Sequence, residues 1–368
     1  MKKKLNITFL LPMADLSGGI RVIGIYAKKL WNKGHNVTII SQLPPKYPLK
    51  TRVKMVLKGE FPKALGLKTK SHLDNIEVPH IVLPKEKLLN KDSFPDADII
   101  IGTWWETMEI IAKLPRKKGV PCHFVQHYEA IVSPKEKVDA VLSIDCPKIT
   151  VSYWLKDLLI KKFKAKKVIC VLNTVDFNQF NAPPREKNNP INVGMCYRDL
   201  YYKGTDIMIN AFNIAKSKDS KINLYAFGDT NIIKKLPLPE GTKYWKKPKQ
   251  EEIKNIYSSC DVWLFGSRTE GFGLPIIEAM ACRTPVIATP AGVAPEKIEK
   301  GGGILVPHED PEAMAQAILK ISKMDPIEWK KMSDAAYNSV VGYTWDDAAD
   351  RFEEALFEIL GYKNKVKV

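Results

Sequence analysis

The residues best placed to do chemistry lie in one stretch, Glu270-Gly-Phe-Gly-Leu-Pro-Ile-Ile-Glu278. Two carboxylates bracket a Gly-x-Gly turn. Gly271 and Gly273 allow tight backbone geometry, and Pro275 suits the start of a helix. The amides of Gly271, Phe272, Gly273 and Leu274 thus end at a helix N-terminus, where the dipole and free N–H groups attract anions and hydroxyl oxygens. Read alone, the stretch is either a ligand loop between two acids or a βαβ turn with one capping and one solvated acid.

The elements that must position this loop surround it. Asp261 to Phe265 is a short apolar, β-favouring run of the kind a buried parallel strand shows. Pro285 to Thr289 reads as the next strand. The same alternation opens the chain: Leu5–Leu11 is a strand, Gly18-Gly19 starts a helix to about Lys33, and Asn36–Ile40 is a second strand. This is the first βαβ unit of a doubly wound domain. Its glycines do not follow Gly-x-Gly-x-x-Gly and no acid ends the second strand, which argues against a nicotinamide or flavin site. Ala97–Gly102 is a further strand, and Cys122 to Glu129 is strand then loop. On a strand His123 and His127 would lie about 13 Å apart, with no Cys or third His beside them, so they do not read as a metal site. Ala182–Pro190 has linker composition. A second cycle of strands and helices begins at Ile191, and Asp310-Pro-Glu312 starts a helix as cap, proline and acid.

The Glu270-to-Ala281 stretch resembles the donor-site signature of retaining glycosyltransferases of family 4, which have the GT-B fold. The resemblance covers essentially the whole chain, densely over 191–320 and sparsely over 40–120. It implies an α/β architecture of two Rossmann-like doubly wound domains facing a cleft. Expected limits are 1–180 for the acceptor-side domain, with a helix in 344–368 crossing back to it, and 181–343 for the nucleotide-sugar domain. It also implies roles. Arg198 and Lys203, in Arg198-Asp-Leu-Tyr-Tyr-Lys203-Gly, match the family's Gly-Arg…Lys-Gly segment and would neutralise a departing diphosphate. Tyr197 stands where a smaller residue is usual. Glu270 and the amides of Gly271 to Leu274 would grip the sugar, and Glu278 would hold the ribose diol. His127 matches the histidine placed near the donor sugar, and Gly19 the glycine pair that lets backbone approach phosphates and acceptor. Gly228 ends a strand where the family has Gly-x-Gly, and Trp245 lies in the connection beside the base. Asn173-Thr-Val-Asp resembles the end of the family's first domain, with Thr174 in place of glycine. Asp15 and Glu129 are further loop carboxylates. No Asp-x-Asp metal clamp stands out; no metal or cofactor is expected, the two cations serving in its place. The activity implied is retaining transfer of a hexosyl or related group from a nucleotide-diphosphate sugar to a glycan or lipid-linked acceptor, in cell-surface glycan or glycolipid synthesis. The alternative is a catalytically idle sugar-nucleotide or glycan binder on the same scaffold.

Composition sets bounds on these expectations. A chain of 368 residues suits two domains, and 45% hydrophobic with 27% charged residues is a soluble, globular mixture. No apolar run reaches about 18 residues, and Leu5–Leu11 reads as a strand rather than a signal peptide. Six dispersed cysteines suit a reducing, cytoplasmic setting. The net charge of +16 is lopsided: residues 1–180 carry 31 Lys+Arg against 16 Asp+Glu, the remainder 26 against 25. Residues 46–70 concentrate this excess among Leu, Val, Met and Phe, reading as a basic amphipathic segment for an anionic membrane surface. Nothing resembles a helix-turn-helix, zinc or RNP signature, so nucleic acid is not an expected partner.

Overall fold

The structure, a computed structural model, describes residues 3–45, 47–57 and 61–362, with Lys63 by its backbone alone. Lys46 and residues 58–60 of the basic segment, and 363–368 of the last expected element, therefore lie outside the described residues. The chain divides into two compact units, residues 1–172 with 346–368 and residues 173–345. Residues 173–180 thus go with the second unit.

The first unit is built on β1 (Asn6–Leu11), β2 (Asn36–Gln42), β3 (His80–Leu83), β4 (Ile99–Gly102), β5 (Val120–Val125), β6 (Lys148–Thr150) and β7 (Val168–Cys170). They form a parallel sheet in the order β3-β2-β1-β4-β5-β6-β7 among the described residues. The strands are apolar along their length because helices cover both faces; all four residues of β4 are buried. β3 comes from a segment without a clear strand pattern, its residues only partly buried at the sheet edge. The helix Trp345–Ile359 belongs to this unit from Asp346 onward. Its Phe352 stacks on Tyr26 at 4.4 Å between centroids and meets Phe124 edge-on at 5.3 Å. Buried Glu353 lies 2.8 Å from Nε2 of His35, whose Nδ1 accepts the Leu5 N–H.

The second unit repeats the plan with β8 (Asn192–Tyr197), β9 (Asn223–Gly228), β10 (Lys243–Lys246), β11 (Val262–Phe265), β12 (Val286–Ala288) and β13 (Gly303–Leu305). Its order is β10-β9-β8-β11-β12-β13, again all parallel. The Thr242–Pro248 connection therefore contributes an edge strand, β10. Gly194 shows why β8 needs a bare position: a Cβ there would stand 2.2 Å from the ring of fully buried Trp263. Asp310 caps the helix Pro311–Lys323 by accepting from Ala313 N–H at 2.8 Å. Both units are α/β and doubly wound, as expected.

Candidate functional site

In a doubly wound sheet, ligands sit where the chain direction of the connections reverses, beyond the carboxyl ends of the two central strands. In the second unit those strands are β8 and β11. The loop after β8 carries Arg198 and Lys203; the loop after β11 carries Glu270 and the glycine turn.

The two loops meet backbone to backbone. Lys203 ends the 3-10 turn Tyr201–Lys203, and Gly204 takes left-handed φ of 61° to start the helix Thr205–Lys218. A Cβ on Gly204 would fall 1.8 Å from the carbonyl oxygen of Gly266. Only glycine permits this approach. Across the contact the Lys203 ammonium pairs with the Glu270 carboxylate, which also accepts from Ser267 Oγ at 3.3 Å. Burial opposes the charge on Lys203, but the Glu270 carboxylate outweighs it and raises the lysine pKa. Arg198 is held by its main chain, which receives a 2.8 Å bond from Thr205 Oγ1, and its guanidinium lies 2.5 Å from Asp229 just past β9.

Beyond Glu270 the chain turns into the helix Leu274–Ala281 through Gly273, at φ 93°. Phe272 is buried and its carbonyl accepts from Val293 N–H at 2.8 Å. Glu278, on the second turn of the helix, accepts from Tyr257 Oη at 3.1 Å. Burial and the Glu278 charge push the Tyr257 pKa well above its ordinary value, so the phenol remains a donor. Gly228 ends β9, where a Cβ would stand 2.4 Å from the Tyr197 carbonyl oxygen. Trp245 sits on edge strand β10, its ring against Tyr225 at 5.5 Å and under Lys243 at 4.7 Å.

Three residues of this region were not singled out from the sequence. Gly292, at φ 61°, supports the turn from beneath: a Cβ there would lie 2.2 Å from the Phe272 oxygen and 3.1 Å from Glu270 Cβ. Thr289 Oγ1 donates to the Ser267 carbonyl at 2.5 Å. Arg268 reaches from the Glu270 loop to the Lys203 turn, donating to the Tyr201 carbonyl at 2.6 Å. A glycine just after a strand was a usable signal for Gly292; the partners of Thr289 and Arg268 are remote in sequence and left none.

In the first unit, Gly19 lies in the first turn of the helix Gly18–Asn32 after β1, and His127 follows β5. Gln126 joins them, its Nε2 donating to the Gly19 carbonyl at 3.3 Å. His127 Nδ1 lies 3.0 Å from the Tyr128 carbonyl, which can only accept, so Nδ1 carries a hydrogen. Glu129 is buried and accepts the Trp105 N–H at 2.8 Å, and Asp15 accepts the Ser17 N–H at 2.8 Å. The sequence carries one Asp-x-Asp spacing in this unit, at Asp96-Ala-Asp98. Its carboxylates are engaged within the unit, Asp96 with Lys118 at 2.8 Å and Asp98 with the Asn6 N–H at 2.7 Å. Among the described residues no group of three or more His, Cys, Asp or Glu could hold a metal ion, and no helix is long and apolar enough to cross a membrane.

Two doubly wound units with these loops define the class: the chain has the GT-B glycosyltransferase fold. Anabaena Alr3699/HepE, solved in complex with UDP and glucose, matches with a TM-score of 0.71 over 96% of this chain and 100% of that one, at 17% identity. Within the second unit, residues 176–339 match the family model for "Glycosyl transferases group 1". D-inositol 3-phosphate glycosyltransferase of Streptomyces bingchenggensis is 35% identical over 116 residues, which are 31% of this chain and 25% of that protein. O-antigen chain mannosyltransferase RfbU of Salmonella typhimurium is 26% identical over 185 residues, 48% of this chain and 51% of its own. The chain thus spans a quarter to about half the length of these curated relatives.

Proposed function

We propose that the protein transfers a hexosyl or related group from a nucleotide-diphosphate sugar to an acceptor hydroxyl, with retention at the anomeric carbon. The observation that carries this is the Lys203–Glu270 pair, set beside Arg198 where the second sheet's connections reverse. Two cations held by backbone and carboxylates offer fixed positive charge to a diphosphate without reorganisation. In the reaction the anomeric C–O bond to the diphosphate breaks and its electron pair leaves with the phosphate oxygen. The acceptor oxygen bonds to the same carbon from the same face and passes its proton to the departing phosphate. Arg198 and Lys203 stabilise the charge that grows there, standing in for a divalent metal. Glu270, released by Lys203, accepts from sugar hydroxyls, with the Gly271–Leu274 amides as donors. Glu278 takes the ribose diol, a carboxylate accepting two such bonds. Gly228 and Trp245 line the nucleotide end. We assign the acceptor side to the first unit, where Gly19, Gln126 and His127 converge.

A UDP complex of the Anabaena neighbour and the mannosyltransferase relative support a nucleotide-sugar donor and a cell-surface glycan or lipid-linked acceptor. We place such an acceptor at the inner face of a membrane, with the protein cytoplasmic and peripheral. The test is a thermal-shift screen of UDP-, GDP-, ADP- and dTDP-sugars, because a ligand bound only by the folded state raises its stability. One nucleotide class should raise the melting temperature, and the same donor should be slowly hydrolysed. Donor binding without any turnover, with acceptor glycans present, would favour the idle binder; no shift with any donor would overturn the proposal.

A further inference from the structure

We propose that the helix Leu49–Leu57 and the short helix Phe61–Ala64 dock the first unit on an anionic lipid bilayer; this rests on the peripheral placement above and names the element and the lipid chemistry that carry it. The helix Leu49–Leu57 has no buried residue. Leu49, Val53, Val56 and Leu57 follow at i, i+4, i+7 and i+8, one helical face, and are 75%, 52%, 38% and 81% exposed. Phe61, Leu65 and Leu67 continue the apolar surface, each more than half exposed. The two helices enclose a shallow, open cavity of about 220 Å³ lined by Leu49, Val53, Leu57 and Leu65. Single exposed apolar residues are ordinary on a soluble surface; a contiguous apolar face is the mark of an interaction site.

The charge beside this face selects the occupant. Lys50, Arg52, Lys54, Lys68 and Lys70 are exposed, Lys68 being paired with Asp74 at 3.0 Å, and Glu60, outside the described residues, is the one acid of the sequence 48–70. Arg52 Nε donates to the Ala64 carbonyl at 3.0 Å and ties the two helices into one platform. A second copy of the chain would bring the same cations against these and be repelled. An anionic bilayer supplies both complements, acyl chains for the leucines and headgroup phosphates for the lysines.

The test is sedimentation of the full chain with vesicles of phosphatidylcholine alone and of phosphatidylcholine containing about one third phosphatidylglycerol, the composition that gives the negative surface potential. Binding is expected only to the anionic vesicles. Leu49→Ser with Leu57→Ser, and separately Lys50→Glu with Lys54→Glu, should each weaken it at least about tenfold, since both components are needed. All four positions are exposed, so melting temperatures should be unchanged. Equal binding to neutral vesicles, no binding to either, or variants that bind like the parent would overturn the proposal, as would a dimer in light scattering that the leucine variant dissolves. The sugar-nucleotide thermal shift should be the same in parent and variants. Its loss in all of them would strike the transferase reading and leave the lipid result standing, whereas lipid indifference with the shift intact would strike docking alone.

Discussion

Arg268 and Asp206 meet fork to fork, Nη1 to Oδ1 at 2.9 Å and Nη2 to Oδ2 at 2.7 Å. The guanidinium also lies 3.9 Å over the Tyr201 ring, and the Arg268 N–H donates to the Tyr202 carbonyl at 2.9 Å. Glu309 closes its other edge, Nη2 to Oε2 at 2.9 Å. One side chain thus joins the turn that carries Lys203 to the loop that carries Glu270. On the proposed function it would act as a positioning residue. Arg268→Ala should lower kcat/KM for the donor by about 10²-fold, the cost of a misplacement near 1 Å. Arg268→Lys should not rescue it, since a lysine keeps the charge and loses the fork. Steady-state kinetics with a melting curve for each variant check this; rescue by lysine would show that charge alone suffices.

If Arg198 and Lys203 serve the diphosphate as proposed, removing them should cost transfer more than folding. Arg198→Ala is expected to reduce kcat by about 10² to 10³, as for loss of one preorganised charge donor. Lys203→Ala should do the same and also leave a buried Glu270 without its cation, destabilising the protein by about 3 kcal/mol. Lys203→Ala combined with Glu270→Gln should recover the melting temperature without recovering activity. Additive losses of stability in the double variant would contradict the pairing.

The support beneath the glycine turn should be intolerant of a single carbon. Gly292→Ala must take φ near 61° and push on the Phe272 carbonyl, a cost on the order of 1–3 kcal/mol. The measurable consequence is a lower melting temperature together with a reduced donor-induced shift. An alanine variant with a full shift would mean that the turn is not what grips the ligand.

Glu129 should give the first unit a pH-dependent stability. Burial, aided by the charge of Glu106 and opposed by the Trp105 N–H, pushes its pKa up to about 8. In the unfolded chain it titrates near about 4.3. Between those values the folded state holds the extra proton, so this residue's contribution to stability falls as pH rises through that window. Glu129→Gln keeps an oxygen for the Trp105 N–H and removes the titration. The parent's melting temperature should therefore fall relative to the variant's from about pH 5 to about pH 8 and then run parallel. Parallel curves throughout would show that Glu129 is ionised in the folded protein.

His123 runs the other way. It is buried with no hydrogen-bond partner for either ring nitrogen among the described residues, and burial lowers its pKa to about 3. The unfolded chain gains a proton below about pH 6.5 that the folded one refuses. Stability is lost as pH falls from there toward 3, and His123→Phe should flatten that acid limb in melting curves. An unchanged limb would assign acid sensitivity elsewhere.

Much of this protein was legible one local pattern at a time. Apolar runs such as Ala97–Gly102 and Asp261–Phe265 declared strands. Gly273 and Pro275 declared the helix start, and Asp310 its own cap. These features depend on neighbours within a turn or a strand, so their residue types carry the information. The sequence likewise placed Arg198, Lys203 and Glu270 on loops after strands. It did not pair Lys203 with Glu270, 67 positions on, nor press Gly204 against Gly266, nor hand Arg268 the carboxylate of Asp206. The Thr242–Pro248 connection became an edge strand only because β9 offered it a free ladder. The aromatic contact that fastens the last helix, Phe352 on Tyr26, spans nearly the whole chain. Such pairs form when two loops are brought together by strand order, which depends on the packing of the entire sheet. Local spacing determined which groups this protein owns; the tertiary structure decided which of them touch.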